Sequence, residues 1–394
     1  MKQKGFRKMK YDFETVADKI DYGFGTDYRE DATVMAGAQL HVKTAPCIIR
    51  GLTGLVQSGL YGWTSSADPQ YISAIVRWMR DIRSWEIQSD WIVPSYGTLQ
   101  AMCACIRAFT EPGDGIIVQQ PVYVLYERCI SNCGRRLVDN TLVRTGDHYE
   151  MDFDDLDAKM SDPKNKLMIL CNPHNPLMDV WGREDLEKVA QLAAKHGVLV
   201  IADEIFAEHA FADGGVAPYA SIDAARNNCV VCTSLGKAFN FTGTSHANII
   251  IPNEEIRRRY TVQRDSDHYG SLSPFMRIAL LSAYTPEGKD WIDALMAFTR
   301  ENEAVVRDFF GRYFPQVNIC RHRAGTLLWA DFRALGAEEE VLELFQAAGV
   351  EPDMGSKYGE PGRGYMRMQI GMPRSELTGA LERIRAAAQR RGLL

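Results

Sequence analysis

The sequence predicts an α/β fold with a largely parallel sheet, followed by a smaller α+β region. Short apolar runs such as "IIVQ", "LMILC" and "VLVIAD" alternate with stretches whose apolar residues recur at helical spacing. Strands that are apolar throughout and separated by helices are typical of parallel sheets covered on both faces. This alternation ends near "YTPEGKDW", where a long amphipathic helix precedes two further strands and a final helix.

The predicted elements of the larger part follow one another closely. Asp68-Pro69 opens a helix over "YISAIVRWMRDIRSW", and Gly97 opens a second over "TLQAMCACIRAF", which "EPGDG" ends. Next come the strand "IIVQ", a helix near "VYVLYERCISNC", the strand "LMILC", and a helix over residues 183–196 that leads into "VLVIAD". "NCVVCTS" and "ANIIIP" are two more predicted strands. In the smaller part, "GTLLWADF" and "YMRMQIG" are strands between the two helices.

Composition does not favour binding to nucleic acid or to membranes. Of 394 residues, 46% are hydrophobic and 24% are charged, and the formal net charge is -6. A negative chain is not attracted to nucleic acid or to an anionic lipid surface. We find no apolar stretch of membrane-spanning length and no apolar segment typical of a secretory signal, so we expect a cytoplasmic protein.

Nine cysteines are scattered along the chain, and their pattern does not favour a metal site. Cys229 and Cys232 form a CxxC motif, but the motif lies in an apolar run, and no second pair or histidine cluster follows. We therefore expect buried free thiols in a reducing compartment, and no bound metal.

Polar residues follow three of the predicted strands. They are Asn172, His174 and Asn175 after "LMILC", Asp203 at the end of "VLVIAD", and Ser234 and Lys237 after "NCVVC". Ligands of open parallel sheets bind beyond the carboxyl ends of the strands. The sequence therefore predicts one site to which these side chains contribute.

Together these residues suit a cofactor that carries an aldehyde, a pyridine ring and a phosphate. Lys237 can form a Schiff base with the aldehyde, and Asp203 can keep the pyridine nitrogen protonated, which makes the ring an electron sink. The N–H groups at Gly97-Thr98-Leu99, with Ser234, can bind the phosphate. Tyr123 can stack on the ring, and an asparagine amide can bond the phenolic oxygen.

Each residue also has an ordinary structural interpretation. A carboxylate at the end of a strand is often a helix cap, Ser-x-x-Lys is common on surfaces, and Tyr123 suits a core position. Only the order and spacing of the whole set favour a site. In that interpretation Asp203 is the functional carboxylate, whereas Glu204 pairs locally or caps the next turn.

The stretches "AFTEPGDGIIVQQPVY", "YEMDFDDL", "LCNPHNP", "VLVIADEI", "GKAFNFTG", "IIIPNEEIRRRY" and "GYMRMQIGMPRSEL" resemble a known family. The chain is similar, from about Tyr61 onward, to fold-type I pyridoxal-phosphate (PLP) enzymes. Specifically, it resembles the MalY/PatB cystathionine β-lyases of the class I/II aminotransferase-like branch. The resemblance implies that Lys237 is the Schiff-base lysine, that Asp203 is the partner of the ring nitrogen and Asn175 that of the phenolic oxygen, and that Tyr123 stacks on the ring. It implies a phosphate site formed by Ser234 with Gly97, Thr98 and Leu99. Arg367 would receive the substrate carboxylate, with Asn175 as a second substrate-binding residue.

The change of pattern near Thr285 predicts a domain boundary there, and the resemblance implies a homodimer and a pocket role for the N-terminal segment. Residues 1–45 would form an N-terminal arm that contributes to the small domain and the pocket, 46–285 the large PLP-binding domain, and 286–394 the small C-terminal domain. A tyrosine in a motif like "LYGWT" reaches the neighbouring subunit's phosphate in this family. That assigns Tyr61 to a site shared between two subunits.

Arg367 has a physical rationale of its own. A guanidinium binds a carboxylate through two parallel hydrogen bonds, and an arginine within the apolar run "YMRMQI" needs a partner. The alternative to substrate binding is an internal ion pair with an aspartate or glutamate.

The chain departs from the family around the cofactor. Leu177-Met178 replaces the usual Thr-Gly, Phe206 stands where a tyrosine or histidine usually donates to the phenolic oxygen, and Gly236 replaces a serine. The segment "MAGAQLHV", residues 35–42, differs from the family pattern and contains Gln39 and His41 as possible polar contacts to a substrate. These departures predict fewer protein contacts to the cofactor and a substrate that differs from the family's usual one.

The expected reaction is C–S β-elimination from an amino acid that resembles cystathionine or another cysteine S-conjugate. Transamination, or β- or γ-replacement in a biosynthetic pathway, is the main alternative. A degenerate PLP-binding protein is a lesser one, because it would not need Lys237, Asp203 and Arg367 together. No GxGxxG follows an early strand, which argues against a dinucleotide enzyme.

Overall fold

The computed structural model describes residues 10–16, 32–211, 215–268 and 272–394. The remainder of the predicted N-terminal arm, residues 1–9 and 17–31, lies outside the described residues. The strands are β1 (Thr33–Val34), β2 (Ile92–Ser95), β3 (Gly115–Val118), β4 (Arg136–Asp139), β5 (Val143–Thr145), β6 (His148–Glu150), β7 (Asn165–Cys171), β8 (Leu199–Asp203), β9 (Cys229–Thr233), β10 (Ala247–Ile250), β11 (Asn318–Ile319), β12 (Leu327–Asp331), β13 (Val350–Glu351), β14 (Asp353–Met354) and β15 (Tyr365–Gln369).

Helices alternate with these strands over most of the chain. They are α1 (Pro46–Ser58), α2 (Pro69–Arg83), α3 (Thr98–Phe109), α4 (Leu125–Asn132), α5 (Phe153–Ser161), α6 (Arg183–His196), α7 (Leu235–Ala238), α8 (Glu254–Ser266), α9 (Pro274–Ala283), α10 (Pro286–Tyr313), α11 (Glu338–Ala347) and α12 (Arg374–Arg390). None of the helices in the described part of the chain combines the length and the apolar character needed to cross a bilayer.

The large sheet has seven strands in the order β2-β10-β9-β8-β7-β3-β4. Only β10 runs against its neighbours, pairing antiparallel with both β2 and β9. The carboxyl ends of β2, β3, β7, β8 and β9 therefore share one edge of the sheet. The predicted α/β class with a largely parallel sheet is confirmed.

Both faces of this sheet are covered, as the apolar strands predicted. Along β8, Leu199 and Ile201 pack into the cluster formed with α3, α4 and α8, whereas Val200 and Ala202 pack into the cluster formed with α2, α6 and α9. Successive side chains of a strand point to opposite faces, so a doubly buried strand needs apolar residues at every position.

The C-terminal part forms its own antiparallel sheet in the order β11-β12-β15-β14. Its apolar cluster includes residues of α11 and α12, and Met35 of the N-terminal segment packs into it. β1 pairs in parallel with β13. The described end of the N-terminal segment thus lies against the C-terminal part of the chain.

Helix α10 contributes to two apolar clusters. Trp291, Leu295 and Phe298 of its first half pack into the core beneath the large sheet, whereas Val306 and Phe310 pack into the small-sheet cluster. Thr285 caps the helix by accepting a hydrogen bond from the Gly288 N–H at 3.2 Å. The predicted division of the chain near this residue therefore falls at the start of a helix that serves both parts.

Candidate active site

The edge where the parallel strands end carries most of the predicted site residues. Asp203 is the last residue of β8, and Ser234 follows β9 directly as the N-cap of α7. Asn175 follows β7, and Cys171 at the end of that strand pairs in register with Asp203. Parallel pairing places these strand ends side by side, as the sequence predicted.

Lys237 lies on the short helix α7 with its amine facing other charged groups. Burial and the positive charge of Arg367 lower the pKa of Lys237 to about 8, and the carboxylate of Asp203 opposes them only in part. The Nζ atom lies 5.7 Å from the centre of the Phe206 ring. An amine with this pKa is neutral in an appreciable fraction near pH 8, and can attack an aldehyde or accept a proton.

The lowered pKa predicts how cofactor-free protein captures pyridoxal phosphate. We expect the rate of covalent capture, followed by absorbance near ~420 nm, to rise about tenfold between pH 7 and pH 9 and then level off. Arg367→Met should move the midpoint to higher pH, because it removes a charge that lowers the pKa of Lys237. A midpoint near that of a free lysine would contradict the assignment.

Asp203 is buried and accepts two hydrogen bonds. The Tyr126 hydroxyl donates to Oδ2 at 2.6 Å, and the Ile205 N–H donates to Oδ1 at 3.2 Å. Burial raises the pKa of Asp203 to about 6, although both hydrogen bonds and the charge of Lys237 favour the ionised form. A carboxylate held in this way is suited to a cationic partner such as a protonated ring nitrogen.

Arg367 lies on β15 of the small sheet and reaches the same place. Its Nη1 donates to Oδ1 of Asn175 at 2.9 Å, and its Nη2 pairs with Oδ2 of Asp353 at 2.5 Å. The internal ion pair weighed as the alternative therefore exists. It does not use all the donors, because Nε is buried without an acceptor among the described residues.

The first turn of α3 has the features of an anion site. Gly97 precedes the helix with φ of 90°, and no side chain caps the helix N-terminus. The first N–H groups of a helix have no acceptor within the helix, so those of Thr98 and Leu99 are available to a phosphate. The amide of Gln100 in the same turn is buried without a partner in the described part of the chain.

Ser234 and Tyr123 are the remaining members of the predicted cofactor set, and the phosphate role of Ser234 stays a prediction because its one hydroxyl proton is donated to a backbone carbonyl. The Ser234 hydroxyl donates to the His246 carbonyl at 2.7 Å and accepts from the Gly236 N–H at 3.0 Å. The charges of Arg367 and Asp203 both act on Tyr123, and burial raises the pKa of its phenol to about 12. The unsatisfied donors near α3 and the lysine of lowered pKa fit a phosphate-bearing aldehyde, and the stacking role of Tyr123 stays a prediction.

Tyr61 stands apart from the other predicted residues. Its hydroxyl donates to the Val56 carbonyl at 2.9 Å, its ring stacks on Phe275, and 51% of its surface is exposed. Its predicted contact requires a second subunit, so that role stays a prediction.

The departures from the family pattern have a structural account. Met178 adopts a φ of 51° and is fully buried, and its side chain occupies the space beside Gly325, where a Cβ would come within 2.4 Å of the Met178 sulfur. Met178, Phe206 and Leu327 form a small apolar cluster of their own. The Met178 carbonyl also accepts hydrogen bonds from the N–H groups of Arg323 and Ala324. The loop that contains Met178 is therefore hydrogen-bonded to the segment at Arg323 and Ala324, just before β12.

Residues 35–42 are attached through groups other than those the sequence suggested. His41 pairs with Glu376 at 3.0 Å and Gln39 is exposed, so neither is placed among the charged site residues. Asn240 instead fastens the segment: its amide donates to the carbonyls of Leu40 and Val42 and accepts from the Leu40 N–H.

The remaining polar residues at the strand ends are structural. Asn172 accepts from the Trp181 N–H, and His174 bonds the Pro121 carbonyl at 2.9 Å. Glu204 pairs with Arg83 at 2.6 Å, with both side chains almost fully buried. The expectation that Glu204 pairs locally rather than serving the site agrees with this contact.

Three neighbours of the site escaped the reasoning from the sequence. Tyr126 lies three residues after Tyr123, a spacing that would place both on one face of the predicted helix; in the structure Tyr123 precedes α4, and the two rings contact edge to face. Asn240 is part of the quoted "GKAFN" string. Asp353 had no sequence signal, because only the cross-strand pairing of β14 with β15 brings it opposite Arg367.

Comparison with known proteins gives consistent matches over nearly the whole chain. The profile of the family described as aminotransferase class I and II matches residues 55–384. Cystathionine beta-lyase PatB of Bacillus subtilis (strain 168) is 33% identical over 373 residues, which are 94% of this chain and 95% of that protein. Protein MalY of Escherichia coli (strain K12) is 30% identical over 381 residues, 95% of each.

A solved structure agrees with these matches. Cystalysin from Treponema denticola, whose crystal structure contains a pyridoxal 5'-phosphate cofactor, has a TM-score of 0.92 at 28% identity, covering 97% of this chain and all of that one. This likeness confirms the predicted fold-type I architecture, and the two relatives confirm the resemblance to the MalY/PatB branch. The chain therefore belongs to the aminotransferase class I and II family.

Proposed function

We propose that this protein is a PLP-dependent C–S lyase that cleaves the Cβ–S bond of cystathionine or of another cysteine S-conjugate. The observation that carries the PLP chemistry is that Asp203 and Arg367 both act on the charge of Lys237 at one edge of the sheet. The family relatives named as cystathionine beta-lyases support the same reaction. The products would be a thiol, pyruvate and ammonia, with water consumed.

Each of the site residues has a defined task in this reaction. PLP, when bound, supplies an electron sink for the negative charge that develops at the substrate's α-carbon. Asp203 holds a proton on the ring nitrogen, and Arg367 binds the substrate carboxylate. When substrate is bound, the Lys237 amine accepts the proton from Cα, a role for which a pKa of about 8 is suitable. Tyr123 and the first turn of α3 hold the cofactor in place.

The proposal is tested by analysing products from the PLP-loaded protein. L-Cystathionine should yield pyruvate and free thiol in equal amounts, whereas L-alanine, which lacks a leaving group at Cβ, should yield neither. Transfer of the amino group to an added 2-oxo acid, without release of thiol, would identify an aminotransferase instead. A protein that shows no band near ~420 nm and no turnover would have to be a binding protein.

We further propose that the enzyme is a cytoplasmic homodimer with shared sites. All nine cysteines are free thiols, which suits a reducing compartment. Val56, Leu60, Tyr61 and Trp63 expose apolar surface around the end of α1, and Trp63 is 94% exposed. Large apolar side chains exposed together along one segment suit an interface, and this segment contains the tyrosine assigned to the neighbouring site.

A mixing experiment tests whether the sites are shared. If Tyr61 acts on the neighbouring subunit, Tyr61→Ala and Lys237→Ala subunits should each have low activity alone and regain activity when co-expressed, because the mixed dimer contains one intact site. Trp63→Glu should shift the protein to monomer in sedimentation experiments. A wild-type monomer, or mixed dimers without recovered activity, would contradict the proposal.

A further inference from the structure

Asp353 is the carboxylate closest to Arg367, and it is built into the same sheet. β14 pairs antiparallel with β15 so that Asp353 and Arg367 lie directly opposite each other. Directly opposed residues project to the same face of a sheet. Their contact of 2.5 Å is made by side chains that are only 10% and 4% exposed.

Further donors fix the Asp353 carboxylate. The Gly37 N–H donates to Oδ2 at 2.8 Å, and the Tyr358 hydroxyl donates to the same oxygen at 3.1 Å. Burial acts to raise the pKa of Asp353, but Arg367, the Gly37 N–H and Lys357 together hold it below its ordinary value. Asp353 is therefore an ionised group of fixed position.

Arg367 is consequently held on two sides. Asp353 engages Nη2 and Asn175 engages Nη1, while the buried Nε has no acceptor in the described part of the chain. A guanidinium has five N–H donors in one plane, so two single contacts fix its orientation and leave donors over. The unused buried donor is available to a carboxylate from outside the protein.

Gly37 connects this arrangement to the pocket segment. Residues 35–42 are tied to the chain just after α7 by Asn240, which lies three residues after Lys237. The same segment is tied to Asp353 by the Gly37 N–H. One short stretch of backbone therefore contacts both the neighbourhood of Lys237 and the ion pair of Arg367.

We infer that Asp353 is a positioning residue for substrate recognition: it orients Arg367 so that the remaining N–H groups receive the α-carboxylate of an amino acid. This inference rests on the proposed function, in which Arg367 binds that carboxylate. The site then selects amino acids with a free α-carboxylate over the corresponding carboxamides, and this selection depends on Asp353.

The test compares two ligands that differ only at this group, L-alanine and L-alaninamide, by titrating the absorbance of the PLP-loaded protein. Asp353→Ala should weaken binding of L-alanine by roughly 10- to 100-fold and leave that of L-alaninamide unchanged. Asp353→Asn keeps an acceptor for the Gly37 N–H and should lie between wild type and Asp353→Ala. Arg363→Met, just before β15, removes an exposed pair with Glu360 at 3.0 Å and should bind both ligands as the wild type does.

The outcomes are distinct. Equal loss for both ligands, or unchanged binding of L-alanine in Asp353→Ala and Asp353→Asn at normal PLP content, would overturn the positioning role while leaving the proposed function intact. A wild-type protein whose spectrum responds to neither ligand would overturn the proposed function, and the inference with it.

Discussion

Replacing Lys237 with alanine is expected to lower turnover of L-cystathionine by at least about 10³-fold. The substitution removes both the amine that links the cofactor and the base that accepts the Cα proton. The lowered pKa of Lys237 follows from its surroundings, burial and the positive charge of Arg367, which a lysine elsewhere in the chain would not share. The measurement is the release of pyruvate from the PLP-loaded variant at saturating substrate.

The Lys237→Ala variant also allows chemical rescue of activity to be measured. Because alanine leaves a space where the amine was, a small primary amine such as methylamine should restore part of the turnover. A matched control is Lys289→Ala, which alters an exposed lysine paired with Asp293 on α10 and should leave turnover unchanged. Retention of more than a small fraction of activity by Lys237→Ala would remove the lysine from the mechanism.

Replacing Arg83 with methionine is expected to lower the free energy of unfolding by about 3–5 kcal/mol, because it leaves the buried Glu204 carboxylate without its counter-ion. The Arg83–Glu204 contact is 2.6 Å, and the two side chains are 4% and 1% exposed. Glu204 also accepts the Tyr219 N–H at 2.7 Å, so it cannot turn toward solvent without losing a second partner. Urea unfolding at fixed protein concentration measures the effect.

Two controls isolate the buried charge. Arg80→Met on the same helix breaks an exposed pair with Asp81 and should cost at most about 1 kcal/mol. Adding Glu204→Gln to Arg83→Met should recover only part of the loss: glutamine is neutral and still accepts the Tyr219 N–H, but Glu208, a second carboxylate 3.7 Å from Arg83, still lacks its ion-pair partner. Equal effects of Arg83→Met and Arg80→Met would contradict the account.

The loss in Arg83→Met should also depend on pH. Burial already raises the pKa of Glu204 in the folded protein, and removal of Arg83 should raise it further. A carboxyl group with a raised pKa in the folded state favours folding more as the pH falls. The difference from wild type should therefore be smaller near pH 5 than near pH 8.

The sequence was most informative for the strand that both packs into the core and ends in a predicted site residue. "VLVIAD" predicts a doubly buried strand by its apolar residues, and its terminal Asp203 has no structural use that such a strand requires. The structure places that strand in the middle of the sheet, between β7 and β9. A strand that is apolar at every position is expected inside a parallel sheet. Ligands of such sheets bind beyond the carboxyl ends of the strands, which is where Asp203 lies.

Elements with conflicting local signals were missed. β2 contains Pro94, which argues against a strand away from a sheet edge, and β2 is indeed an edge strand. In α1, Gly51 weakens the helical pattern, yet it lies at a close contact with α9: a Cβ there would lie 2.1 Å from the Ser282 hydroxyl and 3.2 Å from its Cβ, so Ser282 would have to shift. The low helix propensity of Gly51 is offset by the close packing of α1 against α9, which cannot be read from the sequence.

Helix α10 limits how this enzyme can be divided into fragments. A fragment that begins at Pro286 would contain the complete small sheet and its apolar cluster apart from Met35. It would also expose Trp291, Leu295 and Phe298, which pack beneath the large sheet in the intact chain. A fragment that ends at Thr285 would lack the same three side chains and leave a gap in its core. Expressing the two fragments separately should therefore yield two aggregation-prone proteins. The domain boundary predicted near Thr285 does not separate two parts that fold independently.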